Sequence, residues 1–168
     1  MVDSFTDDIE KTVVSVLDRF GVEYKIVRVD PKYADTAVFC ERYGYELEYC
    51  GNTIVVASKK EPKQFAACIV KGSDKLDVNK TVRKLMGVSR LSFASPDETK
   101  SLTGMMIGGV TPFALPNEMP IYADTKLLEM EYIILGSGSR ASKLIIQPDL
   151  ISKLPNATFV KGIAIARL

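Results

Sequence analysis

The stretch Ser95–Pro116, SPDETKSLTGMMIGGVTPFALP, decides how this chain is read. Its first half spells out a short helix. Ser95 stands as N-cap, Pro96 at the first helical position and Glu98 at the third, which is the pattern of a capping box, and Gly104 supplies the stop. Its second half is a stiff, bare loop. Gly108 and Gly109 let a ligand approach the peptide plane without meeting a Cβ, while Pro112 and Pro116 fix φ. Such a loop either turns the chain between two strands or cradles a carbonyl or an oxyanion with backbone amides. Its own pattern leaves both readings open.

Working outward, Ile9, Val13, Val16, Leu17 and Phe20 recur at helical spacing over residues 6–20, with Asp7, Asp8 and Glu10 at the positive end and Gly21 as the stop. VEYKIVRV alternates as a half-buried strand, and Asp35 is placed to cap a helix through TAVFCERYG. TIVVAS and QFAACIV read as two strands joined by the loop KKEPK. A helix begins at Asp77, a short strand covers SRLSFA, and strands follow at IYAD, EYIILGSGS, ASKLIIQ and the apolar tail TFVKGIAIARL, with a short helix at PDLISKL. The irregular alternation predicts an α+β fold in one domain over residues 1–168, not a regular doubly wound sheet.

Composition narrows the chemistry. The 168 residues carry 22 Lys and Arg against 21 Asp and Glu, so the chain is not a grossly basic nucleic-acid coat. It contains no histidine, which removes Ser-His and Cys-His pairs, His-ligated zinc and the usual general base. Cys40, Cys50 and Cys68 form no CxxC pair and read as reduced thiols; no metal and no cofactor are expected. No apolar run is long enough to span a bilayer, and MVDSFTDDIEKTVVSVLDRF lacks the basic region of a signal peptide. A cytoplasmic protein without membrane or DNA partners is expected.

Two further stretches can carry function. LGSGSRAS, Leu135–Ser142, is either a flexible turn or an amide nest in which Arg140 neutralises an anion. From Lys59 to Arg90 the charge balance turns basic, and Lys59, Lys60, Lys63, Lys71, Arg83 and Lys84 are candidates for a phosphate-binding face; a solvated surface is the alternative.

Taken in order, NTIVVASKKEPKQFAACIV, the run from Lys75 to Pro116 and ILGSGSRASKLIIQPDLI resemble the YbaK/ProX family of aminoacyl-tRNA deacylases, over roughly residues 5–165. The resemblance implies a curled, barrel-like mixed sheet with helices outside and a pocket at its mouth. It implies hydrolysis of the ester on mischarged aminoacyl-tRNA, with the tRNA ribose hydroxyl and an ordered water making the attack and the protein supplying geometry. A partner synthetase fits that role. Its Gly-Gly-x-x-Pro loop matches Gly108, Gly109 and Pro112, with Thr111 inside it, and these four are the expected catalytic residues together with Asn52. Val110, Phe113, Gly136, Ser137, Gly138, Ser139 and Arg140 are expected around the substrate. One departure stands out: Asn52 falls where family members carry a lysine, leaving Lys60, Lys63 and Lys71 to compensate. A module that keeps the pocket and binds aminoacyl-tRNA, an amino acid or a synthetase without catalysis is the alternative reading.

Overall fold

A computed structural model describes residues 8–167. The helical pattern at the start becomes α1 (Asp8–Phe20), whose buried stripe is Glu10, Val13 and Leu17; Asp7 lies outside the described residues. Glu10 is buried because Arg28 on β1 (Lys25–Arg28) meets it, Nη1 donating to Oε1 at 2.8 Å and to Oε2 at 3.0 Å. That pair ties the helix to the strand beneath it.

Helix α2 (Thr36–Tyr43) ends at Gly44 in the left-handed conformation, φ 77°. Asp35 holds its N-cap position, but its carboxylate makes no cap hydrogen bond. Strands β2 (Gly51–Ser58) and β3 (Phe65–Lys71) form the expected hairpin, with Asn52 opposite Val70 and Ala57 opposite Phe65. β4 (Asp74–Leu76) follows. The helix expected at Asp77 starts with a wide turn over Val78–Val82 and tightens into α3 (Arg83–Met86). β5 (Leu91–Phe93) leads into α4 (Pro96–Thr103), where Ser95 Oγ accepts from the Glu98 amide and Glu98 accepts from the Ser95 amide, both at 3.0 Å.

The remaining strands are β6 (Ile121–Asp124), β7 (Ile133–Gly136), β8 (Ser142–Ile146), β9 (Ala157–Val160) and β10 (Ala164–Ala166). The tail expected as one strand is two, broken at Lys161–Gly162, and they join different sheets. Pro148–Lys153 is a short 3-10 helix of two turns.

The strands make a five-stranded sheet, β5-β2-β3-β6-β9, a three-stranded sheet, β1-β8-β7, and the pair β10-β4. β2–β3 and β2–β5 are antiparallel, while β3–β6 and β6–β9 are parallel. A parallel bridge between Cys50 and Ile134 joins the start of β2 to β7, so the sheets curl together. Gly51 permits this, since a Cβ there would stand 2.5 Å from Leu135 Cδ2. The architecture is the mixed α+β sheet with outer helices that the sequence implied.

β3 explains why QFAACIV reads as an unbroken apolar run. Ala67 and Ile69 face one core with Leu17, Ile121, Leu127 and Leu144; Ala66, Cys68 and Val70 face a second with Val56, Val82 and Ile163. A strand covered on both faces has no polar side to show. A third cluster, Phe39, Cys40, Cys50 and Ile134, packs α2 over the three-stranded sheet.

Candidate functional site

A pocket of about 310 Å³ opens where four parts of the chain meet. Asp35 and Thr36 come from the start of α2, Gly51 to Ile54 from the start of β2, Ile107, Gly108 and Val110 from the glycine-proline loop, and Gly136 and Lys143 from β7 and β8. The size suits a small organic group, and the polar atoms converge from separate elements. A wider groove of about 740 Å³, with Tyr24, Tyr45 and Tyr132 on its walls, lies elsewhere.

Two contacts set the pocket's polarity. Thr36 Oγ1 donates to Asn52 Oδ1 at 2.5 Å, which leaves the amide N–H groups of Asn52 as its available donors. Lys143 Nζ donates to the Gly108 carbonyl at 3.0 Å and sits 5.6 Å from the Phe39 ring centroid. Lys143 is only 6% exposed. Burial pulls its pKa below the ordinary lysine value, an effect that Arg140 reinforces and Cys50, Asp35 and Cys40 oppose.

Backbone packing shapes the loop. Gly108 has φ 94°, and a Cβ there would overlap the Arg140 guanidinium. Arg140 Nη1 donates to Asp35 Oδ1 at 3.0 Å and to the Ile107 carbonyl at 2.7 Å, and Nη2 donates to the Pro31 carbonyl at 2.8 Å. The guanidinium that sequence reading offers to a substrate anion clasps three segments of the protein itself. Gly109, expected to aim its amide at a ligand, donates it to the Met106 carbonyl at 2.9 Å.

The other expected residues divide clearly. Asn52, Gly108, Val110 and Gly136 line the pocket together. Thr111, Pro112 and Phe113 are buried behind it; Thr111 Oγ1 has no hydrogen-bond partner and Phe113 packs beside Val13 and Leu17. Ser137, Gly138 and Ser139 form a buried knot. Ser137 and Ser142 hydroxyls lie 2.6 Å apart, and the Ser139 amide donates to Ser137 Oγ at 3.2 Å. These serines use their polarity internally.

Among the basic candidates, Lys59 and Arg83 meet with Arg90 around a cleft of about 430 Å³. That cleft lies beyond the far end of β2, about 23 Å along the strand from Asn52. Lys63 is paired with Glu98 at 2.9 Å. Lys60, Lys71 and Lys84 line neither the pocket nor this cleft. None of the three lysines considered as substitutes for a cation at position 52 reaches the pocket; Lys143 does. Sequence reading did not single it out, because a lysine alternating with Leu144 and Ile146 in a strand looks like an ordinary outward-facing residue. The covering of that face by α2 has no local signal.

Cys40 and Cys50 lie against the same wall, their sulfurs 3.2 Å apart and unbonded. Burial pushes the Cys50 thiol well above its ordinary range, and the contact with Cys40 adds to it. Among the described residues no group of His, Cys, Asp and Glu could hold a metal ion, and no helix is long and apolar enough to cross a membrane.

A family model for the aminoacyl-tRNA editing domain matches residues 30–154, a span that contains every residue lining the pocket. The fold is therefore that of an editing domain. The chain belongs to this family, the YbaK/ProX family. It is 26% identical over 143 residues to the uncharacterized protein YwhH of Bacillus subtilis, covering 85% of this chain and 88% of that one. It is 23% identical over 155 residues to the prolyl-tRNA editing protein ProX of Acetoanaerobium sticklandii, covering 89% and 92%. Its fold matches the crystal structure of the hypothetical protein APE2540 with a TM-score of 0.81 at 21% identity, over 92% of this chain and 99% of that one. It matches a candidate trans-editing enzyme for prolyl tRNA synthetase with a TM-score of 0.78 at 23% identity, over 93% and 97%.

Proposed function

We propose that the protein acts in trans to hydrolyse the ester of mischarged aminoacyl-tRNA. The observation that carries this reading is the pocket itself: a small cavity with converging polar groups, wholly inside the span matched by the editing-domain family. As the family resemblance implies, the water attacks with help from the neighbouring ribose hydroxyl, which suits a chain that has no histidine. The protein's part is orientation. Asn52, its oxygen held by Thr36, turns N–H donors to the substrate, and Ile54, Ile107 and Val110 limit the side chain admitted. The cleft of Lys59, Arg83 and Arg90 takes phosphates of the tRNA acceptor arm.

A panel of mischarged tRNAs, assayed for release of the amino acid, tests the proposal. Turnover on tRNA bearing a small wrong amino acid is expected; no turnover on any member overturns it. The second reading, a binding module without catalysis, draws on Asn52, which stands where family members carry a lysine and whose oxygen is already engaged by Thr36. Binding of aminoacyl-tRNA without turnover in the same panel is its signature.

A further inference from the structure

Lys143 is a cation in an unusual position. Its ammonium is buried on the pocket wall, and among the described residues no carboxylate lies within ion-pair distance of it. An ammonium has three donors. One reaches the Gly108 carbonyl, and the Phe39 ring covers another side. Burying a charge with so little compensation works against folding, and an apolar side chain of similar length would fill the space more cheaply. The arrangement makes chemical sense if a ligand brings the missing negative charge into the pocket. Two nearby backbone amides are already engaged: that of Gly109 donates to Met106 and that of Gly138 to Gly109.

We propose that Lys143 is a catalytic residue of the deacylation, its ammonium binding the acyl carbonyl oxygen and holding the negative charge that develops on it. The inference rests on the deacylase reading. As water adds, its oxygen bonds to the acyl carbon, one of its protons is relayed through the neighbouring ribose hydroxyl, which takes it up while handing its own on toward the ester oxygen, and the carbonyl oxygen becomes an oxyanion against Lys143. Collapse breaks the bond between carbon and ribose oxygen. That oxygen takes a proton, and the amino acid leaves as a carboxylate with release of the remaining proton. Lys143 keeps its proton throughout, so its role is electrostatic, and Asn52 beside it in the pocket fixes the orientation of the ester.

The test compares the parent with K143M, K143Q, K143R and the double variant N52K/K143M in steady-state deacylation, with thermal melts of each. K143M and K143Q are expected to lower kcat about 100- to 1,000-fold, the usual effect of losing an oxyanion donor, with KM within about threefold. K143R should keep more activity than either. N52K/K143M should regain at least about tenfold over K143M, because position 52 opens on the same pocket. If Lys143 only props the Gly108 carbonyl, K143Q still donates to it and matches the parent, while N52K restores nothing; that pattern overturns the proposal. So does a kcat for folded K143M within threefold of the parent. Should K143M fail to fold, K143Q against K143R carries the decision. A parent without turnover removes the deacylase reading and this role together, whereas an active parent with unaffected Lys143 variants removes only the role.

Discussion

Gly138 donates its backbone amide to the Gly109 carbonyl at 2.7 Å, which holds the two glycine-bearing loops face to face with no side chain between them. A Cβ on Gly136 would overlap the Val110 carbonyl oxygen and lie 2.8 Å from that of Gly109; one on Gly109 would lie 2.9 Å from the Ser139 carbonyl carbon. Backbone cannot move aside as a flexible side chain can. Gly136→Ala and Gly109→Ala are each expected to destabilise the protein by about 1–3 kcal/mol, lowering the melting temperature by about 2–10 °C. A melt unchanged from the parent in either variant would show that the loops part easily.

The capping box at α4 gives a second stability prediction. Ser95→Ala removes the acceptor of the Glu98 amide, and Glu98 is also held by Lys63. The expected loss is about 1 kcal/mol, or roughly 2–4 °C in melting temperature. The Ser95 amide and Lys63 both hold the Glu98 carboxyl below its usual range. Either variant keeps that amide, so the difference lies in the cap itself: Ser95→Gly should cost less than Ser95→Ala, because glycine is well tolerated at an N-cap.

Lys143 predicts a pH dependence of stability. Burial lowers its folded-state pKa below the ordinary 10.5, so between the two values the unfolded chain binds more protons than the folded one. Its contribution to stability therefore rises as pH climbs through the lowered pKa toward the ordinary lysine range. Urea midpoints of the parent and K143M, compared from neutral pH up toward the ordinary lysine range, should converge as pH rises. Curves that stay parallel would contradict a buried ammonium.

The thiols predict a chemical pattern. Cys68 is fully buried and its pKa is pushed up to about 12 by burial, so it should resist alkylation until the chain unfolds. Cys40 and Cys50 have their sulfurs in contact, but burial raises the Cys50 thiol as well, so under excess oxidised glutathione they are expected to form one intramolecular disulfide slowly near neutral pH and faster as pH rises, with loss of two hydrogens by mass. Cys68 joining a disulfide instead would be the contrary result.

Much of this architecture was legible in the chain. Caps and stops marked α1, α2 and α4 because those signals are local: Ser95 and Glu98 find each other within one turn, and Gly44 stops its own helix. The hairpin of β2 and β3 was visible because two apolar runs flank a charged loop. Of the residues that line the pocket, Gly108 was legible from its own loop and Asn52 only through the family resemblance. Arg140 and Ser137 misled for one reason: a polar residue in a glycine-rich turn looks available, and nothing nearby reveals that Asp35, Pro31 or Ser142 has already claimed it. Lys143 stayed hidden because its environment comes from Phe39 and Gly108, far away in sequence.

The pairing of β1 with β8 bears on how the molecule is made. Lys25 lies opposite Ile145 and Arg28 opposite Ser142, so an early strand waits for more than a hundred residues before it has a partner. Closing so long a loop is slow, and the parallel pairs β3–β6 and β6–β9 add further long-range steps. The pocket inherits this order of events. Thr36 and Asn52 leave the ribosome well before Gly136 and Lys143. A nascent chain that stops short of β8 carries one wall of the cavity and nothing to close it, so the cavity is completed in a single step, when β8 arrives.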